Sequence, residues 1–176
     1  LADARVDVIG WSGTAAGWLG FESDRRLCER IEARTGIAAT TSVLAVNELL
    51  EKLGCRRFGL VTPYRGDVQQ RIIENYAEAG YQCVAERHLD ISVNFAFAEV
   101  EPERIEAMCR EVASARPQAI TTFCTNLRAA QLADSLERET GVMMLDTVST
   151  VVWKMLRISG VDATPLARWG RLFGVR

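Results

Sequence analysis

Apolar positions along the chain fall into two alternating rhythms. Short apolar or β-branched runs, VDVIG (6–10), IAATTS (37–42), RFGLVT (57–62), YQCVAERH (81–88), QAITTFC (118–124) and VMMLD (142–146), predict strands. Longer amphipathic runs between them predict helices. Ser23 is placed to cap a helix over Asp24–Thr35 that stops at Gly36. Further helices are expected over Val43–Leu53 before Gly54, Val68–Ala79 before Gly80, Pro102–Arg116, Leu127–Thr140 before Gly141, and Ser149–Ile158. A short final helix is expected near Pro165–Phe173. Strands that alternate with helices need crossover connections, so the fold class is α/β, with a mostly parallel sheet covered on both faces.

That architecture directs attention to the residues that follow strands, because ligands in such folds sit beyond the carboxyl ends of the strands. Three loops stand out: WSGTAAG (11–17), TPYRGD (62–67) and CTNLR (124–128). In the first, small residues let a ligand approach the backbone, and the amides of Thr14 and Ala15 suit a carboxylate or oxyanion. A tight turn is the plainer reading. In the second, Tyr64 brings a hydroxyl to a strand end, although Pro63 and Gly66 also suit an ordinary turn. In the third, Cys124 stands between a strand and an expected helix, whose dipole would lower the thiol pKa. Thr125 and Asn126 add short polar groups beside it. The alternative for Cys124 is a small buried hydrophobe.

Composition narrows the chemistry. The 176 residues are 48% hydrophobic with a formal net charge of −2 and no basic cluster, which argues against nucleic acid as a partner. No apolar stretch is long enough to span a bilayer and nothing resembles a signal peptide, so a soluble, cytoplasmic protein is expected. The five cysteines, Cys28, Cys55, Cys83, Cys109 and Cys124, form no CxxC pair and are accompanied by one histidine, His88. Neither a disulfide framework nor a zinc site is expected. The glycine-rich loop matches no dinucleotide or phosphate-loop pattern, so no nucleotide cofactor is expected. His88 has no evident acidic partner and reads as a surface or packing residue; Trp11 and Trp18 flank the small-residue loop as pocket walls or packing. The chain opens on a strand-like segment without methionine, and a front portion is expected to be missing.

The stretch LGCRRFGLVTPY (53–64), CTNLR (124–128) and the later Trp153, Leu156, Arg157 and Gly160 together resemble the aspartate/glutamate racemase superfamily. Within it they are most similar to the branch of maleate cis-trans isomerases, arylmalonate decarboxylases and ectoine-utilisation proteins. The resemblance runs from Val6 to Gly160 and implies two similar Rossmann-like lobes with the active site in the cleft between them. By it, residues 1–62 with about 148–176 form the first lobe and residues 63–147 the second. It also implies a homo-oligomer, chemistry without metal or cofactor, and a small carboxylic or dicarboxylic acid as substrate. Members of this family usually place one cysteine on each side of the substrate. Cys124 matches the second, whereas the first falls at Gly13, just before Thr14.

Racemisation needs a proton-transfer group on each face of a carbon, and glycine supplies none. Decarboxylation needs one acid. Arylmalonate decarboxylases resemble this chain in having a glycine before the threonine of the first loop and a lone cysteine in the second. By that resemblance Cys124 donates the proton, and Gly13, Thr14, Ala15, Tyr64, Thr125 and Asn126 surround the carboxylate. Asn94 lies where isomerase-like members carry a substrate-binding asparagine; a turn asparagine is the other reading. Thr125–Asn126 is the wording of the isomerases. Maleate-type isomerisation, an ectoine-catabolic role and an inactive carboxylate-binding module therefore stand as alternatives.

Overall fold

The computed structural model describes residues 1–176. Six strands occur: β1 (Val8–Trp11), β2 (Ala38–Thr41), β3 (Arg57–Thr62), β4 (Gln82–His88), β5 (Ala119–Thr122) and β6 (Met143–Asp146). Every pairing is parallel, β1 with β2 in one sheet and β4-β3-β5-β6 in the other. The helices are α1 (Ala16–Leu19), α2 (Glu22–Thr35), α3 (Ser42–Lys52), α4 (Gly66–Glu78), α5 (Asn94–Phe97), α6 (Pro102–Ala113), α7 (Ala133–Thr140) and α8 (Thr147–Ile158). After β6, α8 turns back to pack on α3, β1 and β2.

β3 and β5 are central strands covered on both faces, which is why RFGLVT and AITT read as near-continuous buried runs. Phe58, Leu60 and Ile120 meet Ile72 and Tyr76 of α4 and Ile105, Met108 and Val112 of α6 in one core cluster. Gly59 is the point of closest approach between β3 and α6, since a Cβ there would lie 2.3 Å from Val112 Cγ1. Helix starts are fixed locally: Thr41 Oγ1 accepts the Leu44 N–H, and Asp146 Oδ1 accepts those of Val148 and Ser149. Two sheets of parallel strands give the expected two-lobed α/β class, although one sheet has two strands and the other four.

Several expectations change. Ser23 does not cap: α2 starts at Glu22, and the serine hydroxyl donates to the Gly20 carbonyl. The segment 11–20 is not all loop, since it contains α1. Helix α6 ends at Ala113, short of Arg116, which takes a left-handed φ of 52° ahead of Pro117. The helix expected from Leu127 begins only at Ala133, after a 3₁₀ turn over Ala130–Leu132. The final helix is two 3₁₀ turns, Thr164–Trp169 and Arg171–Gly174, broken at Gly170.

Candidate active site

Four loops leave the carboxyl ends of β1, β3, β4 and β5, and side-chain hydrogen bonds tie them together. Thr14, after β1, shares a 2.6 Å hydrogen bond with the hydroxyl of Tyr64, after β3. Thr125, after β5, donates from Oγ1 to the Ser12 carbonyl at 3.4 Å. Asn126 donates from Nδ2 to both the carbonyl and the Oδ1 of Asn94, each at 2.8 Å. Asn75 of α4 holds α1 in place by donating to the carbonyls of Ala16 and Gly17. Gly17 admits the ring of Phe123, which a Cβ would meet at 2.4 Å. The Tyr64 ring is held edge-on between Trp18 and Phe97, with centroids 5.2 and 5.6 Å away.

Cys124 lies behind this group and is 3% exposed. The expected helix-dipole effect is absent, because residues 124–129 form turns and no helix begins there. Burial instead pushes the thiol above its ordinary value. The Tyr64 hydroxyl and the N–H groups of Asn126 and Leu127 oppose that rise, while the Asp146 carboxylate adds to it. The thiol therefore keeps its proton near neutrality. Tyr64 is likewise pushed up, first by burial and then by the neighbouring Cys124, and remains an O–H donor. The backbone N–H groups of Thr14, Ala15 and Thr125 make no hydrogen bond within the chain.

Gly13 directly precedes Thr14 in the loop after β1. A Cβ built there would lie 2.5 Å from Trp11 Nε1, so the half-exposed indole covers the volume that a side chain would take. The neighbouring Ser12 is exposed. The residues singled out by sequence, Gly13, Thr14, Ala15, Tyr64, Asn94, Cys124, Thr125 and Asn126, thus lie along one set of touching loops.

Two features escaped the sequence. His88 has an acidic partner after all: its Nδ1 is 2.9 Å from Glu86 Oε2, the i and i+2 positions of one strand sharing a face. Asp146 is fully buried at the end of β6, where it also accepts from Thr122 Oγ1, and burial raises its pKa to about 6. The pattern D-T-V-S after an apolar run was a legible capping signal for it. No three His, Cys, Asp or Glu side chains converge as a metal site would need. All five cysteines are free thiols. No helix is long and apolar enough to cross a membrane.

The family model described as arylmalonate decarboxylase matches residues 1–173. The chain belongs to the arylmalonate decarboxylase family. It is an enzyme of that family, and its relatives set the range of chemistry. It is 28% identical over 169 residues to the arylmalonate decarboxylase of Bordetella bronchiseptica, which covers 94% of this chain and 70% of that protein. It is 23% identical over 173 residues to a maleate isomerase of Pseudomonas putida, covering 94% and 68% of the two chains. A liganded crystal structure of an arylmalonate decarboxylase variant, with one glycine changed to cysteine and one cysteine to serine, superposes with a TM-score of 0.88 at 26% identity. That match covers 98% of this chain and 74% of the other.

Proposed function

We propose that this chain decarboxylates a small malonate-type dicarboxylic acid by one-cysteine chemistry. The bond from the α-carbon to one carboxylate breaks and carbon dioxide leaves. The electron pair stays on the α-carbon and spreads onto the remaining carboxylate as an enediolate. The N–H groups of Thr14, Ala15 and Thr125, with the hydroxyls of Thr14 and Tyr64, hold that charge. Each such bond contributes about 3 kcal/mol in a site closed to water. Cys124 Sγ–H then donates its proton to the α-carbon, and the thiolate regains a proton from solvent.

The observation that carries this reading is the asymmetry between the two loops. The loop after β5 carries a buried, protonated thiol, while the loop after β1, where the family usually carries its other cysteine, has a glycine under an indole. Such a site has an acid and lacks the second proton-transfer group that racemisation requires. The solved relative that carries one glycine-to-cysteine and one cysteine-to-serine change is altered at the two residue types on which this reading turns.

The test is incubation of 2-methyl-2-phenylmalonate in heavy water. One enantiomer of the product, carrying one deuterium on the α-carbon, is expected, and Cys124→Ala should abolish its formation. Turnover that survives Cys124→Ala, or racemic product, would refute the assignment. A second reading has one specific support: Asn126 donates to Asn94, which lies where isomerase-like members carry a substrate-binding asparagine. Conversion of maleate to fumarate, with no release of carbon dioxide from malonates, would favour it. Tight binding of a malonate with neither reaction would identify a carboxylate-binding module.

A further inference from the structure

Gln69 is a polar residue on the inward face of α4, in line with Ile72 and Tyr76, and is 2% exposed. Its amide is engaged at both ends. Oε1 accepts from the Thr62 hydroxyl at 2.7 Å, and Nε2 donates to Glu86 Oε2 at 2.7 Å. The Thr62 hydroxyl in turn accepts the backbone N–H of Tyr64 at 3.2 Å. His88 Nδ1 meets the same Glu86 oxygen at 2.9 Å. The donors therefore run in one direction, from the Tyr64 amide through Thr62 and Gln69 to the Glu86 carboxylate. Hydrogen bonds so aligned reinforce one another.

The relay ends on the turn that carries Tyr64. That turn is also clasped by the loop after β4, whose Asp90 and Ile91 N–H groups donate to the Tyr64 and Pro63 carbonyls. Filling the volume under α4 does not call for an amide, since an apolar side chain of similar length would do so without a desolvated polar group. We propose that Gln69 is a positioning residue, the centre of a Thr62–Gln69–Glu86 relay that sets how Tyr64 presents its hydroxyl to Cys124 and to a bound carboxylate. The proposal rests on Tyr64 and Cys124 sharing the site, and not on which reaction they perform.

The relay is read through the thiol. On the full chain, the pH midpoint of Cys124 alkylation by iodoacetamide is followed by mass spectrometry of the peptide that bears it. Tyr64→Phe raises the midpoint, because the hydroxyl favours the thiolate. Gln69→Met, which keeps length and removes both relay bonds, is expected to raise it by roughly half a unit or more. The Gln69→Met/Tyr64→Phe double variant should go no higher than Tyr64→Phe alone. An unchanged midpoint in Gln69→Met, or a shift that adds to that of Tyr64→Phe, overturns the proposal. Should Gln69→Met not fold, Thr62→Val breaks the next link and is judged by the same two outcomes. Phenylmalonate turnover on the same samples separates the questions: its absence in the unaltered chain removes the decarboxylase reading and leaves the alkylation result to decide this one.

Discussion

Replacing Tyr64 by phenylalanine removes one oxygen from the centre of the site and little else. The ring keeps its edge-on contacts with Trp18 and Phe97. Folding loses one buried hydrogen bond and leaves Thr14 Oγ1, in a residue 5% exposed, without its partner. That combination costs about 1–3 kcal/mol, and for a chain of this size each kcal/mol lowers Tm by roughly 2–4 °C. Under the proposed decarboxylation the transition state loses a donor to the enediolate, worth about 3 kcal/mol. At 1.36 kcal/mol per decade this is roughly a hundredfold fall in kcat. The assay is carbon dioxide release from phenylmalonate, on samples shown by circular dichroism to be folded, with Cys124→Ala as the zero. The loss should fall on kcat rather than KM, because the hydrogen bond strengthens as charge develops. A folded variant whose kcat stays within about threefold of the parent would show that the hydroxyl does not face the reacting carboxylate.

Other perturbations test separate parts of the argument. Gly13→Cys adds a second sulfur to the loop after β1 and must displace the Trp11 indole, which its exposure permits. The enantiomeric excess of the decarboxylation product should then fall, and an unchanged excess would count against the facing geometry. Asp146 gives a pH signature with a defined sign. Its folded pKa of about 6 lies above the ordinary 3.8, so the fold favours the protonated form. Stability from this group is therefore complete at acid pH and is lost as pH rises through about 6. The loss amounts to about 3 kcal/mol. Asp146→Asn should flatten that slope in urea titrations from acid to neutral pH, and parallel curves for the two proteins would refute it. Gly59→Ala forces a methyl against Val112 and should cost about 1–3 kcal/mol by overpacking, with kcat unchanged.

How far the sequence spoke can be argued residue by residue. TPY and CTN were legible as strand-end residues because glycine stops and apolar runs mark strand ends, and parallel strands put those ends on one side. Arg57–Thr62 was legible to the residue, since the interior of a strand buried on both faces, here Phe58–Val61, carries no charged residue. Leu127, Ala130 and Leu132 carry enough apolar spacing to imitate a helical first turn, yet the chain there is non-helical up to Ala130. The error propagated into chemistry: a dipole was expected to lower the Cys124 pKa, whereas burial raises it. Burial is a property of the whole packing and has no local letter. The indole over Gly13 is likewise tertiary, although Trp11 and Gly13 are only two residues apart. Gln69 did leave a trace, as a polar residue on the apolar face it shares with Ile72 and Tyr76, where a leucine would be routine.

The bond between Thr14 and Tyr64 has a consequence for how an acid would be received. One of those two hydroxyls already donates to the other, at 2.6 Å, before any visitor arrives. Entry is then a swap of partners rather than the filling of a void, and a weakly basic anion gains little from it. Only a ligand whose oxygens grow more negative during its stay outbids the resident pair, so selectivity is exercised late, on the way to product, instead of at the door.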